Sequence, residues 1–403
     1  MNKIKKPELL APASNLEKLK IAFNYGADAV YIGGQDYSLR ANAENFSIED
    51  MKEACVFAHQ INKKVYVSVN IIFHNEDLKD IEKYLTDIHN AGIDGIMVAD
   101  PFLIEISKKV VPDLKIFIST QQSSMNVETV KYFKSEGASR VVLGRETSER
   151  EIKRIIDETD MPIEIFIHGS MCMSYSGRCT LSNHMTGRDS NRGGCSGICR
   201  WEWPLLNSKN EVISNDVMYS MSAKDLSMVE HIPKMIDMGV ASLKIEGRMR
   251  SEYYIGTIVN MYRKLIDNYC NDPENFKMDK FYVDEVDKCA SREITAQYFD
   301  KYPNVEQQYY HTSNNPSIQK FVGVVKEYEN GYAKVLERNC FSVGDTLEVF
   351  GPNTEMFEFK VKSIIDSEGN KIDSARKPME ILTINMPNKV FENDMIRMKE
   401  KDD

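Results

Sequence analysis

Four of the chain's eight cysteines, Cys172, Cys179, Cys195 and Cys199, fall in one stretch that begins at His168: HGSMCMSYSGRCTLSNHMTGRDSNRGGCSGICRWEW. Arg178, Arg188, Arg192 and Arg200 lie among or beside them, and Asp189 is the one acid between Cys172 and Arg200. A run this rich in glycine and small polar residues has too little apolar surface to pack alone, and thiolates gathered in this way hold a metal. The spacing is C-x6-C-x15-C-x3-C. Zinc ribbons use C-x2-C pairs, whose short turn aims both sulfurs at one ion, and neither pair has that form. An iron–sulfur cluster presents four separated corners and tolerates wider spacing. A four-iron four-sulfur (4Fe-4S) cluster is therefore the expected occupant, with zinc or plain structural thiols as alternatives. Cys195 and Cys199 begin a C-x3-C-x2-C radical-enzyme triplet, but position 202 is Glu. Trp201 and Trp203 are expected to shield the group from water. The other cysteines, Cys55, Cys270, Cys289 and Cys340, stand singly and read as buried or half-buried thiols.

Other chemistry has fewer carriers. There is no H-E-x-x-H, no G-x-S-x-G and no G-x-x-x-x-G-K-S/T. His168 closes an apolar run beside the cysteines and is a candidate acid or base, or a hydrogen-bonding support of the loop. Glu246 and Arg248 end the run SLKIEGR. They are candidate catalytic groups with His168, or a salt bridge closing the fold. A guanidinium there suits an anionic substrate, since it pairs bidentately with carboxylate or phosphate. Arg145, Glu146, Arg40, Asn70 and Gln121 are candidate substrate contacts. Arg178, Arg188, Arg192 and Arg200 are candidate phosphate contacts of a local basic surface.

The elements that must position these groups repeat one pattern. Apolar runs rich in β-branched and aromatic residues occur at 8–13, 29–34, 64–70, 95–100, 115–120, 140–146, 163–169 and 242–248. Stretches of helical periodicity separate them, for example at 15–25, 76–91 and 126–136. Gly26, Gly92, Gly137 and Gly239 stand where helices should end. Eight β/α units in residues 1–270 predict a TIM-like (β/α)8 barrel, with a doubly wound open sheet as runner-up. In a barrel the candidate residues Asn70, Gln121, Arg145, Glu146, His168, Glu246 and Arg248, with Asp100 and Thr120, fall at strand C-termini. The cysteine loop (170–203) becomes an insertion after the seventh strand, above the active-site mouth.

Residues 271–316 read as a helical and irregular linker, with a helix-like piece near 283–300. From 317 to 403 the chain alternates and carries hairpin signals at Glu329-Asn330-Gly331 and Ser367-Glu368-Gly369-Asn370. A small antiparallel β-barrel is expected there, similar to the second-domain barrel of translation factors, or else a plain stabilising accessory.

Hydrophobic residues make up 42% of the 403, enough for a sizeable core. MNKIKKPE leads straight into a strand-like run rather than a signal peptide, and no apolar run reaches the roughly 18 residues a membrane span needs. A soluble cytoplasmic protein with no membrane partner is expected, a setting in which clustered cysteines are metal ligands more often than disulfides. The net charge of −10 argues against a general nucleic-acid coat but leaves room for a local basic surface.

The run Glu164-x-Phe166-x-His168-Gly169-Ser170-Met171-Cys172, then Ser176-Gly177-x-Cys179, then Asn191-Arg192-Gly193-Gly194-Cys195-x3-Cys199-Arg200, resembles the signature of the collagenase-like peptidase family of unknown catalytic type. PELLAPA, GADAVYIGG and SLKIEGRMRSEYY extend the match over about residues 7–300, and the C-terminal barrel resembles that of its tRNA-hydroxylating members. The resemblance implies oxygen-independent hydroxylation of a wobble uridine in the tRNA anticodon arm, a 4Fe-4S cluster on the four cysteines, and prephenate as a small anionic co-substrate. Some relatives place a cluster cysteine in a K-D-L-C stretch. Here it reads Lys224-Asp225-Leu226-Ser227, so Cys199 must supply the fourth thiolate. Proteolysis, which the family name implies, and a cluster-bearing scaffold working with a paralogous family member stay open as alternatives.

Overall fold

The computed structural model describes residues 5–39, 44–214, 218–309 and 319–399. Seven strands run parallel, each paired with the next: β1 (Glu8–Pro12), β2 (Ala29–Gly33), β3 (Lys64–Val69), β4 (Gly95–Val98), β5 (Lys115–Ile118), β6 (Arg140–Val142) and β7 (Ile163–Gly169). A short strand β8 (Asp225–Ser227) precedes β9 (Ser242–Ile245). β9 lies parallel to both β7 and β1 and closes an eight-stranded barrel. The closed barrel expected from the eight apolar runs is thus the fold. β8 is additional: it runs antiparallel to the end of β7, with His168 opposite Ser227.

Two-residue alternation explains the closure. Leu10, Tyr31, Tyr66, Met97 and Phe117 share one cluster inside the barrel, while Leu9, Ala11, Val30, Ile32, Val65 and Val67 join the core beneath the helices. Buried ions fill the rest of the interior. Arg140 lies 2.6 Å from Glu8 and 2.9 Å from Glu164, and Lys244 lies 3.0 Å from Glu164. Burial pushes the Glu164 carboxyl up, but Lys244 and Arg140 outweigh it and hold it below the ordinary carboxylate range.

Helices α1 (Leu16–Asn24), α2 (Ile48–Gln60), α3 (Ile81–Asn90), α4 (Phe102–Val110), α5 (Val127–Ser135) and α6 (Glu149–Thr159) alternate with the strands. The stretch 76–91 divides into a 3-10 turn, Asn75–Leu78, and α3. The four expected glycine caps all have positive φ. α7 (Leu181–Thr186) sits inside the cysteine segment, α8 (Ile232–Asp237) precedes β9, and α9 (Glu252–Asn271) follows it. The helix expected near 283–300 is instead α10 (Lys280–Asp287) followed by β10 (Ile294–Thr295), which pairs with β8. The β-branched Ile294-Thr295 pair takes the sheet edge that β8 offers.

The C-terminal unit is a half-barrel: an eight-stranded antiparallel sheet curled over its own apolar core, with a separate two-stranded pair beside it. Its first hairpin joins β11 (Gln319–Glu329) to β12 (Tyr332–Glu337) through Asn330 and Gly331, both at positive φ, as a two-residue type I′ turn requires. Arg397, on its last strand, is fully buried. It donates to Glu285 of α10 at 2.8 and 2.9 Å and to Tyr253 of α9 at 3.4 Å, and it also bonds Glu348. Phe350 and Met395 of the half-barrel belong to the barrel's core cluster.

Candidate functional site

The cysteine segment leaves β7 at Gly169, whose φ is +118°. A Cβ there would sit 2.7 Å from the Glu246 carbonyl oxygen, so the segment departs by a close approach that only glycine allows. Side chains of the barrel mouth then fasten it. Arg145 donates to the Ser170 carbonyl at 2.7 Å, Glu146 accepts from the Ser176 amide at 3.1 Å, and the Ser123 hydroxyl bonds the Ser176 carbonyl. Arg192 donates to the Ile72 carbonyl at 2.7 Å and pairs with Asp77. Within the segment, Ser190 and Asn191 donate to the Cys179 carbonyl at 2.6 and 2.8 Å, and Ser220, beyond it, donates to the Cys199 carbonyl at 3.3 Å. These bonds pin the backbone that bears the thiols.

Cys172, Cys195 and Cys199 line a cavity of about 460 Å³ together with Ser170, Glu246, Gly247, Arg200, Arg250, Ser291 and Arg292. Cys179 belongs to the same group electrostatically. Burial pushes the Cys199 thiol up, Arg200 opposes this, and Cys172, Cys195 and Cys179 each push it further up. Among the described residues, no three His, Cys, Asp or Glu side chains are gathered closely enough to hold a metal ion as they stand. The donor set that the site offers is four spread thiols on pinned loops. That set suits the separated corners of an iron–sulfur cluster.

Of the candidate catalytic residues, Glu246 reaches the cavity, and the Tyr31 hydroxyl donates to its carboxylate at 3.1 Å. His168 does not line it. The ring is buried against Tyr254 and Tyr262, with Nδ1 3.3 Å from the Tyr262 hydroxyl. Burial, and then the charge of Arg250, bring its pKa down from 6.5 to about 3, so the imidazole is neutral in ordinary buffers. Arg248 is buried and bonds Ser38 at 2.9 Å and the Leu39 carbonyl, which fixes the loop after β2. Its place there is possible because residue 33 is glycine: a Cβ would fall 1.8 Å from the guanidinium.

Arg145 is spent on Ser170 and stacks on Phe166 with 4.1 Å between guanidinium carbon and ring centre. Glu146 is buried, and burial raises its pKa. Asn70 accepts from the Leu39 amide and donates to Ser119, both at 3.3 Å. Gln121 packs under Gly177. These residues hold loops together around the mouth rather than lining the cavity. Arg40 lies outside the described residues. Of the four arginines read as phosphate contacts, Arg178 and Arg188 are exposed, Arg192 is engaged by Asp77, and Arg200 lines the cavity. Trp201 stacks on Trp203 at 5.9 Å yet remains 44% exposed, and neither ring lines the cavity. Cys55 and Cys289 are buried and Cys270 half-buried, but Cys340 is exposed beside Lys320, because its loop lies at the surface of the half-barrel.

Sequence reasoning missed Arg250 and Arg292. Arg250 stands two residues beyond Arg248 in the same motif, and that adjacency was the available signal. It donates to Ser291 at 2.9 Å and Asp225 at 3.2 Å. Arg292 follows α10 and donates to Ser222 at 3.2 Å.

Residues 14–309 match the family model described as Peptidase family U32, and residues 318–397 match that of the Peptidase family U32 C-terminal domain. The chain belongs to peptidase family U32. One U32 relative, tRNA hydroxylation protein P1 of Bacillus subtilis, is 48% identical over 400 residues, covering 98% of this chain and 95% of the relative. Another, tRNA hydroxylation protein P of Escherichia coli, is 34% identical over 92% of this chain and 91% of its own length. A U32 protein named collagenase, from Porphyromonas gingivalis, is 30% identical over 89% of each chain. No helix among the described residues is long and apolar enough to cross a membrane.

Proposed function

We propose that this U32 chain is an RNA-modifying enzyme that hydroxylates C5 of a wobble uridine in tRNA without molecular oxygen. One observation carries the reading: a cavity at the C-terminal mouth of the barrel is lined jointly by thiols and guanidiniums, in a chain whose full-length relatives are named tRNA hydroxylation proteins. Cys172, Cys179, Cys195 and Cys199 would hold a 4Fe-4S cluster, which supplies one-electron chemistry when bound. Prephenate, a small anion, is the hydroxyl donor that the family resemblance implies.

The chain's own residues then have distinct tasks. Exposed Arg178 and Arg188 meet backbone phosphates of the anticodon arm, a contact that positions the RNA without reading it. The wobble base is already unpaired, so drawing it into the cavity costs little unstacking. Glu246, oriented by Tyr31, presents an acceptor to a base N–H at the cavity wall. His168 stays neutral and serves as a packed support behind that wall.

The test is mass spectrometry of tRNA nucleosides from a strain lacking the gene and any redundant paralogue. Loss of 5-hydroxyuridine and the nucleosides built on it is expected. An unchanged nucleoside profile, with gelatin cleavage by the pure protein, would replace this reading with proteolysis.

A further inference from the structure

Three guanidiniums converge on the cavity from three separate elements. Arg200 comes from the 3-10 turn Ile198–Arg200, Arg250 from the loop after β9, and Arg292 from the loop after α10. Acid compensation is incomplete. Asp225 pairs with Arg250, and Glu246 is the one carboxylate lining the cavity. Among the described residues neither Arg200 nor Arg292 has a carboxylate within ion-pair distance. Arg292 is half-buried and, among the described residues, donates to the Ser222 hydroxyl and makes a face contact with Tyr309 at 5.8 Å. Burial and the like charges of Arg200 and Arg250 pull its pKa down from the usual value, and Asp225 offsets this only in part. An added anion would relieve that repulsion.

The location is itself informative. The cavity wall is made by the loops after the seventh and last barrel strands, and α9, twenty residues long, begins two residues past Arg250. Loops after the last two strands frequently form a phosphate site in (β/α)8 barrels.

We propose that Arg200, Arg250 and Arg292 form a binding site for an oxyanion, held by the guanidiniums with Ser291 as a neutral donor. The site rests on reading this cavity as the reaction chamber. It holds either a backbone phosphate of the RNA or the oxyanion group of a free small ligand, and both present the same chemistry to three arginines.

Inorganic phosphate is the probe, added to anaerobically purified full-length protein against chloride of equal ionic strength. Phosphate should raise the melting temperature above the chloride control. Arg292→Gln should weaken its binding about tenfold or more, the loss of one good charge-assisted contact, while Arg150→Gln, exposed on α6 and outside the cavity, leaves it unchanged. Should Arg292→Gln not fold, Arg200→Gln is read in its place.

A second arm measures binding of an anticodon stem-loop as a function of salt. If the oxyanion is the RNA's, phosphate competes with the stem-loop and Arg292→Gln reduces the salt slope by about 0.7. If it belongs to a free ligand, stem-loop binding and its slope are unaffected. No stabilisation by phosphate beyond chloride overturns the site, as does equal stabilisation of the wild type and the arginine variants. Lost iron content in Arg292→Gln, with a wild type indifferent to phosphate, also overturns it and assigns the charges to the cluster. Phosphate binding without any change in tRNA nucleosides would fail the RNA reading and leave the site standing.

Discussion

Arg192 grips Asp77 with both terminal nitrogens, at 2.5 and 3.0 Å, and so one side chain fastens the cysteine segment to the loop after β3. The hydrogen bond from Arg192 holds the Asp77 carboxyl below the ordinary range. The pair is partly exposed, so solvent screening limits its coupling energy to about 1 kcal/mol. A double-mutant cycle with Arg192→Ala and Asp77→Ala, followed by urea unfolding, should return that value. Arg192→Lys should not restore it, because an ammonium cannot serve Asp77 and the Ile72 carbonyl with a planar fork. The larger effect should be on iron content, since the thiols ride on the loop that this pair anchors.

Gly177 makes the second attachment. Its φ is +75°, and a Cβ would stand 2.1 Å from the Gln121 carbonyl oxygen. Gly177→Ala should therefore push the segment off the barrel mouth, at a cost of roughly 1–3 kcal/mol for the strained backbone. Loss of bound iron at unchanged far-ultraviolet circular dichroism would confirm a local effect. Full iron content in the variant would refute it.

The barrel was legible in the sequence because its strands are buried on both faces and four of the helices between them end at a glycine. Leu10, Tyr31 and Tyr66 point inward and their neighbours outward, and the apolar runs carry that pattern plainly. β8 was not legible: three residues, Asp225–Ser227, form a strand only because the end of β7 offers them an edge. The gathering of Cys172, Cys195 and Cys199 around one cavity was legible because they are close in sequence. The arginines were not, because a guanidinium's role depends on what lies across the fold. Arg248 is consumed by Ser38 and Leu39, whereas Arg250, two residues on, lines the cavity.

Arg397 sets the position of the half-barrel. It is fully buried between Glu285 and Glu348, and its removal leaves both carboxylates to Lys288, at 2.6 and 3.6 Å. Arg397→Met should cost up to about 3 kcal/mol, seen as a lower melting temperature. Adding Glu285→Gln should recover part of the loss. An additive double variant would show that the ion pair does not couple the two units.

His168 gives the stability a pH dependence of known sign. The unfolded chain takes up the proton at 6.5, and the folded chain only near 3. Between those values the unfolded state binds more protons, so stability falls as pH falls, by up to about 1.4 kcal/mol per pH unit from this group. Above 6.5 the contribution is flat. His168→Phe should flatten the urea-unfolding profile between pH 6 and 4 relative to the wild type. An unchanged slope would show that the ring reaches solvent.

If the four thiols serve RNA hydroxylation, removing any one of them must abolish it. The gene is returned to a deletion strain, as wild type or with Cys172, Cys179, Cys195 or Cys199 changed singly to Ser, and hydroxylated wobble uridine in its tRNA is measured by mass spectrometry. The wild type should restore the nucleoside and each cysteine variant should fail, with the variant proteins present at normal levels. Restoration by the cysteine variants, or no restoration by the wild type, would contradict the account.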